Sequence, residues 1–139
     1  MTDRTEQLGQ SEGVNATAMT GDLIDLAAAR LAELSGSGPV LSRETEDLDV
    51  NVVRLPAGRS IEEHINREVD VVMVALAGSG LVTVADQEFV LSPQRLLIIP
   101  KGSRRSIRST GDDALVYLSL HRRRARLWPT VKRSTSSNG

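Results

Sequence analysis

The chain has 139 residues and a formal net charge of −1, with no cysteine, two histidines and one each of Phe, Tyr and Trp. This length suits one domain with tails. The lack of cysteine excludes a disulfide framework, a thiol nucleophile and an iron–sulfur site. Two histidines exclude a site that needs three imidazoles from one chain. Because the N-terminus is polar and no run of about 18 apolar residues occurs, we expect a cytoplasmic protein without membrane contact.

Charge is unevenly divided along the chain. Residues 1–70 carry 14 acidic and 6 basic side chains, whereas residues 71–139 carry 4 acidic and 11 basic ones. Such asymmetry can mark a basic tail that contacts an acidic partner, or two surfaces that attract each other within a fold or a dimer. Overall neutrality and the few aromatic residues argue against binding of nucleic acid.

The N-terminal part of the sequence predicts a tail followed by a helix. Residues 1–19 show no apolar period, which is typical of a flexible tail. Leucines recur at helical spacing from Leu23 to Leu34, so the pattern predicts a helix over Gly21–Leu34. The glycines and the proline of residues 35–39 end it. We therefore assign residues 20–38 to a helix and a linker.

From Val40 onward the hydrophobic period changes to two. The predicted strands cover residues 49–55, 69–77, 81–84, 88–91, 96–99, 106–109 and 114–120. Seven or eight short strands, separated by Gly/Pro turns and without strand–helix alternation, predict an antiparallel sandwich or barrel. We place this all-β domain at residues 39–128 and a second flexible tail at residues 129–139.

Two groups of residues stand at characteristic spacings within this domain. The first contains Gly58, His64, Asn66 and Gly78, and the second contains Pro100, Gly102, Arg105 and Ser109. The span Gly58 to Ile107 resembles the cupin superfamily, whose motifs are Gly-x5-His-x-His-x3–4-Glu-x6-Gly and Gly-x5-Pro-x-Gly-x2-His-x3-Asn. This resemblance implies a single cupin barrel, which is a double-stranded β-helix or jelly roll, with the N-terminal helix outside it.

The metal ligands of the cupin family are largely replaced in this sequence. By resemblance, His64 matches the first histidine, Asn66 stands at the second, Asp70 or Val71 at the glutamate, and Arg105 at the last histidine. An amide oxygen is a weak ligand, and a guanidinium has no lone pair to donate and repels a divalent cation. We therefore expect no metal cofactor. If a divalent transition metal ion is bound, His64 and Asp70 are its candidate ligands.

The same positions favour a site for a small polar or anionic molecule. Arg105 would clamp a carboxylate, His64 would be a titratable donor, Asn66 would orient the ligand, and Asp70 would complete the polar cluster. In the alternative interpretation, Arg105 forms an ion pair with Asp70 or Glu68 inside the barrel.

Three functions stay open at this point. The first is a binding protein for a small polar or anionic molecule. The second is a cupin enzyme of small-molecule metabolism, such as an isomerase, a cyclase or a metal-dependent oxygenase, in which His64 is an acid/base or a ligand. The third is a scaffold with a vestigial pocket, whose basic C-terminal segment and acidic N-terminal half mediate protein contact. No catalytic residue is assigned, and a homodimer is expected because many small cupins form one.

Overall fold

A computed structural model describes residues 20–124 of the protein. They form the helical turn α1 (Ala28–Leu31) and the strands β1 (Gly38–Glu44), β2 (Leu48–Leu55), β3 (Ser60–Ile65), β4 (Val71–Ala77), β5 (Gly80–Val84), β6 (Gln87–Leu91), β7 (Leu96–Ile99), β8 (Arg104–Ser109) and β9 (Leu115–Arg122). One sheet has the order β1-β2-β9-β4-β7 and the other the order β3-β8-β5-β6, and neighbouring strands are antiparallel. The predicted all-β jelly roll is confirmed.

The core lies between the two sheets. On β4 the side chains of Val71, Met73 and Ala75 alternate inward, and on β5 those of Val82 and Val84 do the same. The alternation follows from the period of two in a strand, which sends successive side chains to opposite faces. Aliphatic residues of both sheets thus fill most of the interior.

Two tight connections need a backbone with positive φ. Between β5 and β6, Ala85 and Asp86 have φ of 48° and 72°, as a two-residue hairpin turn of the primed type requires. Between β4 and β5, Gly78 has a φ of 73°, and a Cβ atom there would lie 2.1 Å from the carbonyl oxygen of Ala114. Only glycine fits this second position.

The N-terminal helix is shorter than the sequence predicts. Instead of Gly21–Leu34, only Ala28–Leu31 is α-helical. The Oδ1 atom of Asp25 accepts a hydrogen bond of 2.9 Å from the amide of Ala27, immediately before the turn. Asp22 does not cap a helix, because its carboxylate pairs with Arg43 on β1 at 2.7 Å. The predicted extent was therefore wrong.

The leucine spacing that suggested a longer helix has another cause. Leu26, Leu31 and Leu34 pack against the outer face of the five-stranded sheet, in a cluster centred on Val52 and Val116. One short turn with extended flanks is enough to bring these three leucines to the sheet. Their spacing therefore reflects contact with a surface rather than a long regular helix.

The strand prediction lacks two strands and misplaces some ends. The missing strands are Gly38–Glu44 and Ser60–Ile65, so residues 20–124 contain nine strands instead of seven or eight. The alternation of Ser60–Ile65 is interrupted because three residue steps on β3, from Ile61 to His64, span two steps on β8. The predicted tails 1–19 and 129–139, and the barrel boundary at residue 128, fall outside the described residues.

Between residues 20 and 124, no helix has the length and apolar character needed to cross a membrane.

Polar residues gather at one end of the barrel, which we call the Arg105 end. Here β3 leads into β4 and β7 leads into β8. In this region His64 lies opposite Arg105 in the four-stranded sheet, and Asp49 lies opposite His121 in the five-stranded sheet. The topology thus brings the pair His64–Arg105 and the pair Asp49–His121 to the same end of the interior.

Candidate functional site

Arg105 is a buried cation on the inner face of β8. Its neighbours at alternate positions, Ile107 and Ser109, are also buried, and Arg105 itself is only 4% exposed. The guanidinium donates to the carbonyl oxygens of Ser103 at 3.2 Å and Pro100 at 3.4 Å. Within residues 20–124 no carboxylate forms an ion pair with it. Its positive charge is therefore held by two neutral carbonyls.

The electrostatic surroundings of Arg105 oppose its charge. Burial lowers the pKa of the Arg105 guanidinium, and the positive charge of Arg124 lowers this pKa further. Arginine nevertheless stays protonated at neutral pH because its intrinsic pKa is so high. The Arg105 end therefore contains a desolvated cation with a second cation near it.

His64 shares the inner face with Arg105 but reaches solvent. The two residues are direct partners across β3 and β8, and directly opposed residues of an antiparallel pair point to the same side. The side chain of His64 is exposed, and its Nδ1 lies 3.0 Å from the carbonyl oxygen of Glu62. Since a carbonyl only accepts, Nδ1 carries the proton and Nε2 keeps its lone pair.

Asn66 is buried and holds the loops at this end together. Its Oδ1 accepts hydrogen bonds from the amides of Glu68 at 2.9 Å and Val69 at 3.3 Å. Its own carbonyl oxygen accepts from the amide of Gly102 at 2.7 Å, which joins the loop after β3 to the loop before β8. The side-chain oxygen that the sequence offered to a ligand is thus already used by the backbone.

Asp70 and Val71 occupy different environments. Asp70 is exposed, and its Oδ1 accepts from the amide of Lys101 at 2.8 Å. Val71 is buried among the core residues and precedes Gly78 with the six-residue spacing of the first motif. The position of the motif glutamate therefore belongs to Val71, and Asp70 links two loops.

Of the four residues that the sequence proposed for a ligand, the structure brings His64 and Arg105 together on one face. Asn66 and Asp70 lie at the same end but bond to loop amides. The alternative ion pair of Arg105 with Asp70 or Glu68 is wrong, because the Asp70 carboxylate bonds to Lys101 and neither acid pairs with Arg105 among the described residues.

A second polar pair on the opposite sheet was missing from the proposed site. Asp49 on β2 and His121 on β9 are direct partners, and both continue the inward alternation of Val53, Leu55, Leu115 and Tyr117. His121 Nδ1 lies 3.9 Å from Asp49 Oδ2, and the side chains are 11% and 16% exposed. The alternation of each strand indicates that Asp49 and His121 face inward. The sequence does not indicate that their two distant strands pair in the register that places these residues opposite each other.

The contacts of this pair leave reactive atoms without a partner. His121 Nδ1 donates to the carbonyl oxygen of Arg122 at 2.8 Å, so Nε2 keeps a lone pair. Asp49 Oδ1 is buried and has no hydrogen-bond partner among residues 20–124. A buried carboxylate oxygen without a donor is costly, which makes this pair a candidate for function.

The residues at the motif positions do not fit a divalent metal ion. The oxygen of Asn66 is used by two amides, Val71 has no donor atom, and Arg105 is a cation. Glu63, the acidic residue next to His64, faces outward and pairs with Arg104 at 3.0 Å. Across residues 20–124 no group of three or more His, Asp or Glu side chains is arranged to hold a metal.

A small open depression on the four-stranded sheet is lined by Glu63, Thr83, Asp86, Arg104, Arg105 and Ser106. Arg104 bridges Glu63 and Asp86 there, at 3.0 Å to each, and these hydrogen bonds raise the pKa of Arg104.

Comparison with known proteins supports the fold and names a family. The cupin domain model matches residues 51–121. No curated protein matches the chain. Among solved structures, the cupin domain of Schizosaccharomyces pombe Cnp3 is 25% identical with a TM-score of 0.55, and the match covers 59% of this chain and 61% of that one.

Two further structures show how widely this fold is shared. The protein TT1209 from Thermus thermophilus is 24% identical with a TM-score of 0.62, over 74% of this chain and 98% of that one. A chain from the crystal structures of the DMSP lyases RdDddP and RnDddQII is 18% identical with a TM-score of 0.50, over 55% of this chain and 38% of that one. At these identities the likeness concerns the fold alone.

Proposed function

Since the chain belongs to the cupin superfamily, we propose that its barrel binds a small anionic molecule, and that Arg105 is the residue that holds the anion. Cupin proteins include enzymes as well as other proteins, so the family alone does not select the function. The choice rests on the site.

The observation that carries the proposal is the buried charge of Arg105, with which no carboxylate of residues 20–124 forms an ion pair. The side chain is 4% exposed and bonds to two carbonyl oxygens at 3.2 and 3.4 Å. A buried cation without a counter-charge costs several kcal/mol, and an anion beside it removes much of that cost. A carboxylate fits best, because it can accept two parallel hydrogen bonds from one guanidinium.

The surroundings of Arg105 support a small organic anion. His64 lies opposite it on the same face, with Nε2 free to contact a second polar group of the ligand. The aliphatic core residues Val71, Ile99 and Ile107 would contact the apolar part. A metal is not part of this proposal, since the motif positions do not supply its ligands.

The first experiment measures the melting temperature of the full chain with acetate, succinate, pyruvate, 2-oxoglutarate and phosphate. We expect at least one of these anions to raise it in a concentration-dependent way. Arg105→Gln should weaken the binding of that anion about 30-fold or more, because it removes charge-assisted hydrogen bonds. Arg108→Gln is the matched control, since it makes the same change on the outer face of β8.

A second measurement separates a binding role from a structural one. Without ligand, Arg105→Met should be no less stable than the wild type in urea, because it removes an unpaired charge from the interior. Equal anion-induced stabilisation of the wild type and Arg105→Gln would refute the proposal. So would the absence of stabilisation by every anion of the panel.

A further inference from the structure

The Asp49–His121 pair is the other polar group that faces the interior at the Arg105 end. Its strands belong to the five-stranded sheet, whereas Arg105 and His64 belong to the four-stranded sheet. The neutral imidazole of His121 has its proton on Nδ1 and a lone pair on Nε2. Asp49 provides a negative charge 3.9 Å from the ring, and one of its oxygens is buried without a hydrogen-bond partner in the described part of the chain.

The end of β9 lies close enough to Arg105 for their charges to interact. Arg124 follows His121 by three residues, and its positive charge is felt by the Arg105 guanidinium. Arg122 donates to the carbonyl oxygen of Glu68 at 3.1 Å, which ties β9 to the same loop that Asn66 organises. The two sheets thus present a cation and a proton acceptor to one end of the barrel.

Resting on the proposed anion site, we propose that His121 takes a proton from the molecule that Arg105 binds, and that this molecule is a carboxylate with a C–H bond next to a carbonyl group, as in a 2-oxo acid. The Nε2 lone pair of His121 can accept such a proton, because Nδ1 bonds to the carbonyl oxygen of Arg122. Asp49 acts as a positioning residue, because its negative charge stabilises the imidazolium that forms.

The chemistry balances with the residues that are present. The C–H bond breaks as its proton forms an N–H bond at Nε2 of His121. The electron pair of the C–H bond forms a carbon–carbon double bond, and a pair of the carbonyl bond moves to the oxygen. The resulting enolate carries its negative charge next to the carboxylate that Arg105 binds, so the same guanidinium stabilises the added charge. Return of the proton to carbon restores the substrate, and its transfer to oxygen gives the enol, so no oxidant, reductant or further reactant is consumed.

The test uses the full chain with pyruvate, 2-oxobutyrate and 2-oxoglutarate in deuterated buffer. If His121 accepts the proton, its N–H exchanges with solvent, and the returning atom is deuterium. Proton NMR then records the loss of the signal from the carbon next to the carbonyl. We expect the wild type to accelerate this exchange above the buffer rate, and Arg108→Gln, on the outer face, to do so equally.

Variants of the pair separate proton transfer from folding. His121→Ala should slow the exchange at least about 100-fold, and added imidazole should restore part of the rate, which a structural role would not allow. Asp49→Asn should lower the rate of exchange at saturating 2-oxo acid more than it changes the apparent Kd, because the imidazolium that forms loses its negative neighbour.

The outcomes distinguish this inference from the anion site. Stabilisation by a 2-oxo acid without exchange above the buffer rate would overturn the role of His121 and leave Arg105 as an anion site. Unchanged exchange in His121→Ala would overturn it as well. Exchange that requires both Arg105 and His121, with rescue by imidazole, would support it. If no anion of either panel binds, the anion site and the role of His121 both fall.

Discussion

Arg105 stands where the interior of a small barrel would normally place an aliphatic side chain or a metal ligand. Its neighbours along the inner face of β8 are buried, and its hydrogen bonds go to backbone carbonyls of the preceding loop. A charge in this position lowers stability unless something compensates for it. The stability of the free protein and its affinity for an anion are therefore coupled through one side chain.

A single glycine sets the connection between the two sheets. Gly78→Ala should lower the free energy of unfolding by about 3 kcal/mol or more, because the new Cβ meets the backbone of Ala114 and φ is +73°. Gly58→Ala is the matched control. Its φ is +79° but no atom lies within 4 Å of the Cβ position, so it should cost only about 1 kcal/mol. Urea unfolding measures both, and equal losses would contradict the role assigned to the contact with Ala114.

The sequence predicts some residues of the site better than others. Arg105 was found because its distance from Pro100 and Gly102 identified its position in the motif. Asn66 was identified equally well, but its partners are the amides of its own loop, which motif spacing does not reveal. Asp49 and His121 could not be paired, because their contact depends on the register of two strands far apart in the chain.

At the level of elements, the short turn α1 protects the outer face of the five-stranded sheet. Leu31 is the buried residue of this turn and packs with Val52 and Val116. No side chain caps its first residue, and four residues are too few for a stable isolated helix. The turn therefore depends on its contact with the sheet.

This dependence predicts a difference between two leucines of the same segment. Leu31→Ala should lower the free energy of unfolding by about 2–3 kcal/mol, because it leaves a cavity at a buried contact. Leu23→Ala should change it by less than about 0.5 kcal/mol, because Leu23 is 97% exposed. Chemical denaturation of the two variants tests this, and a similar loss in both would favour the longer helix that the leucine spacing predicts.

The elements themselves differ in how far the sequence predicts them. The strand β4 follows from an almost unbroken run of β-branched residues, and its turn follows from Gly78. The predicted helix is too long because leucines that contact a flat sheet can have nearly the same spacing as leucines on one face of a helix. The strand β3 was left out because its mixture of isoleucine, glutamate and histidine gives no clear period.

At the scale of the whole molecule, Tyr117 sets an alkaline limit to stability. Burial raises the pKa of its phenol to about 12 from an ordinary value of 10.0. Between these values the folded protein keeps a proton that the unfolded chain has lost, so stability falls as pH rises. The contribution is fully present below pH 10 and declines by about 1.4 kcal/mol per pH unit up to about pH 12.

Tyr117→Phe should remove this decline, since it keeps the ring and deletes the proton. Urea unfolding at a series of pH values compares the two proteins. The chain has one tyrosine, so the ultraviolet absorbance of tyrosinate reports the ionisation of Tyr117 directly. Ionisation near pH 10 in the folded state, or parallel stability curves of both proteins, would contradict the prediction.

Two expectations that concern the whole molecule stay predictions. Light scattering of the full chain tests whether it forms a homodimer. Fractionation of cells that produce the protein tests whether it is cytoplasmic. Neither follows from the arrangement of the strands, because a jelly roll of this kind folds around a core of its own.

The extra residue between Ile61 and His64 should allow β3 to tolerate the deletion of one residue. The strand takes three steps where its partner β8 takes two, and yet both Ile61 and His64 lie opposite inward residues, Ile107 and Arg105. Deleting Glu62 would turn this stretch into a regular ladder without exchanging inside for outside, because the two residues would then be separated by a spacing of two. Loss of one amino acid here shortens the strand, but the inward side chains stay inward and the outward ones stay outward. The same deletion in β4 would move every side chain beyond it to the opposite face of the sheet.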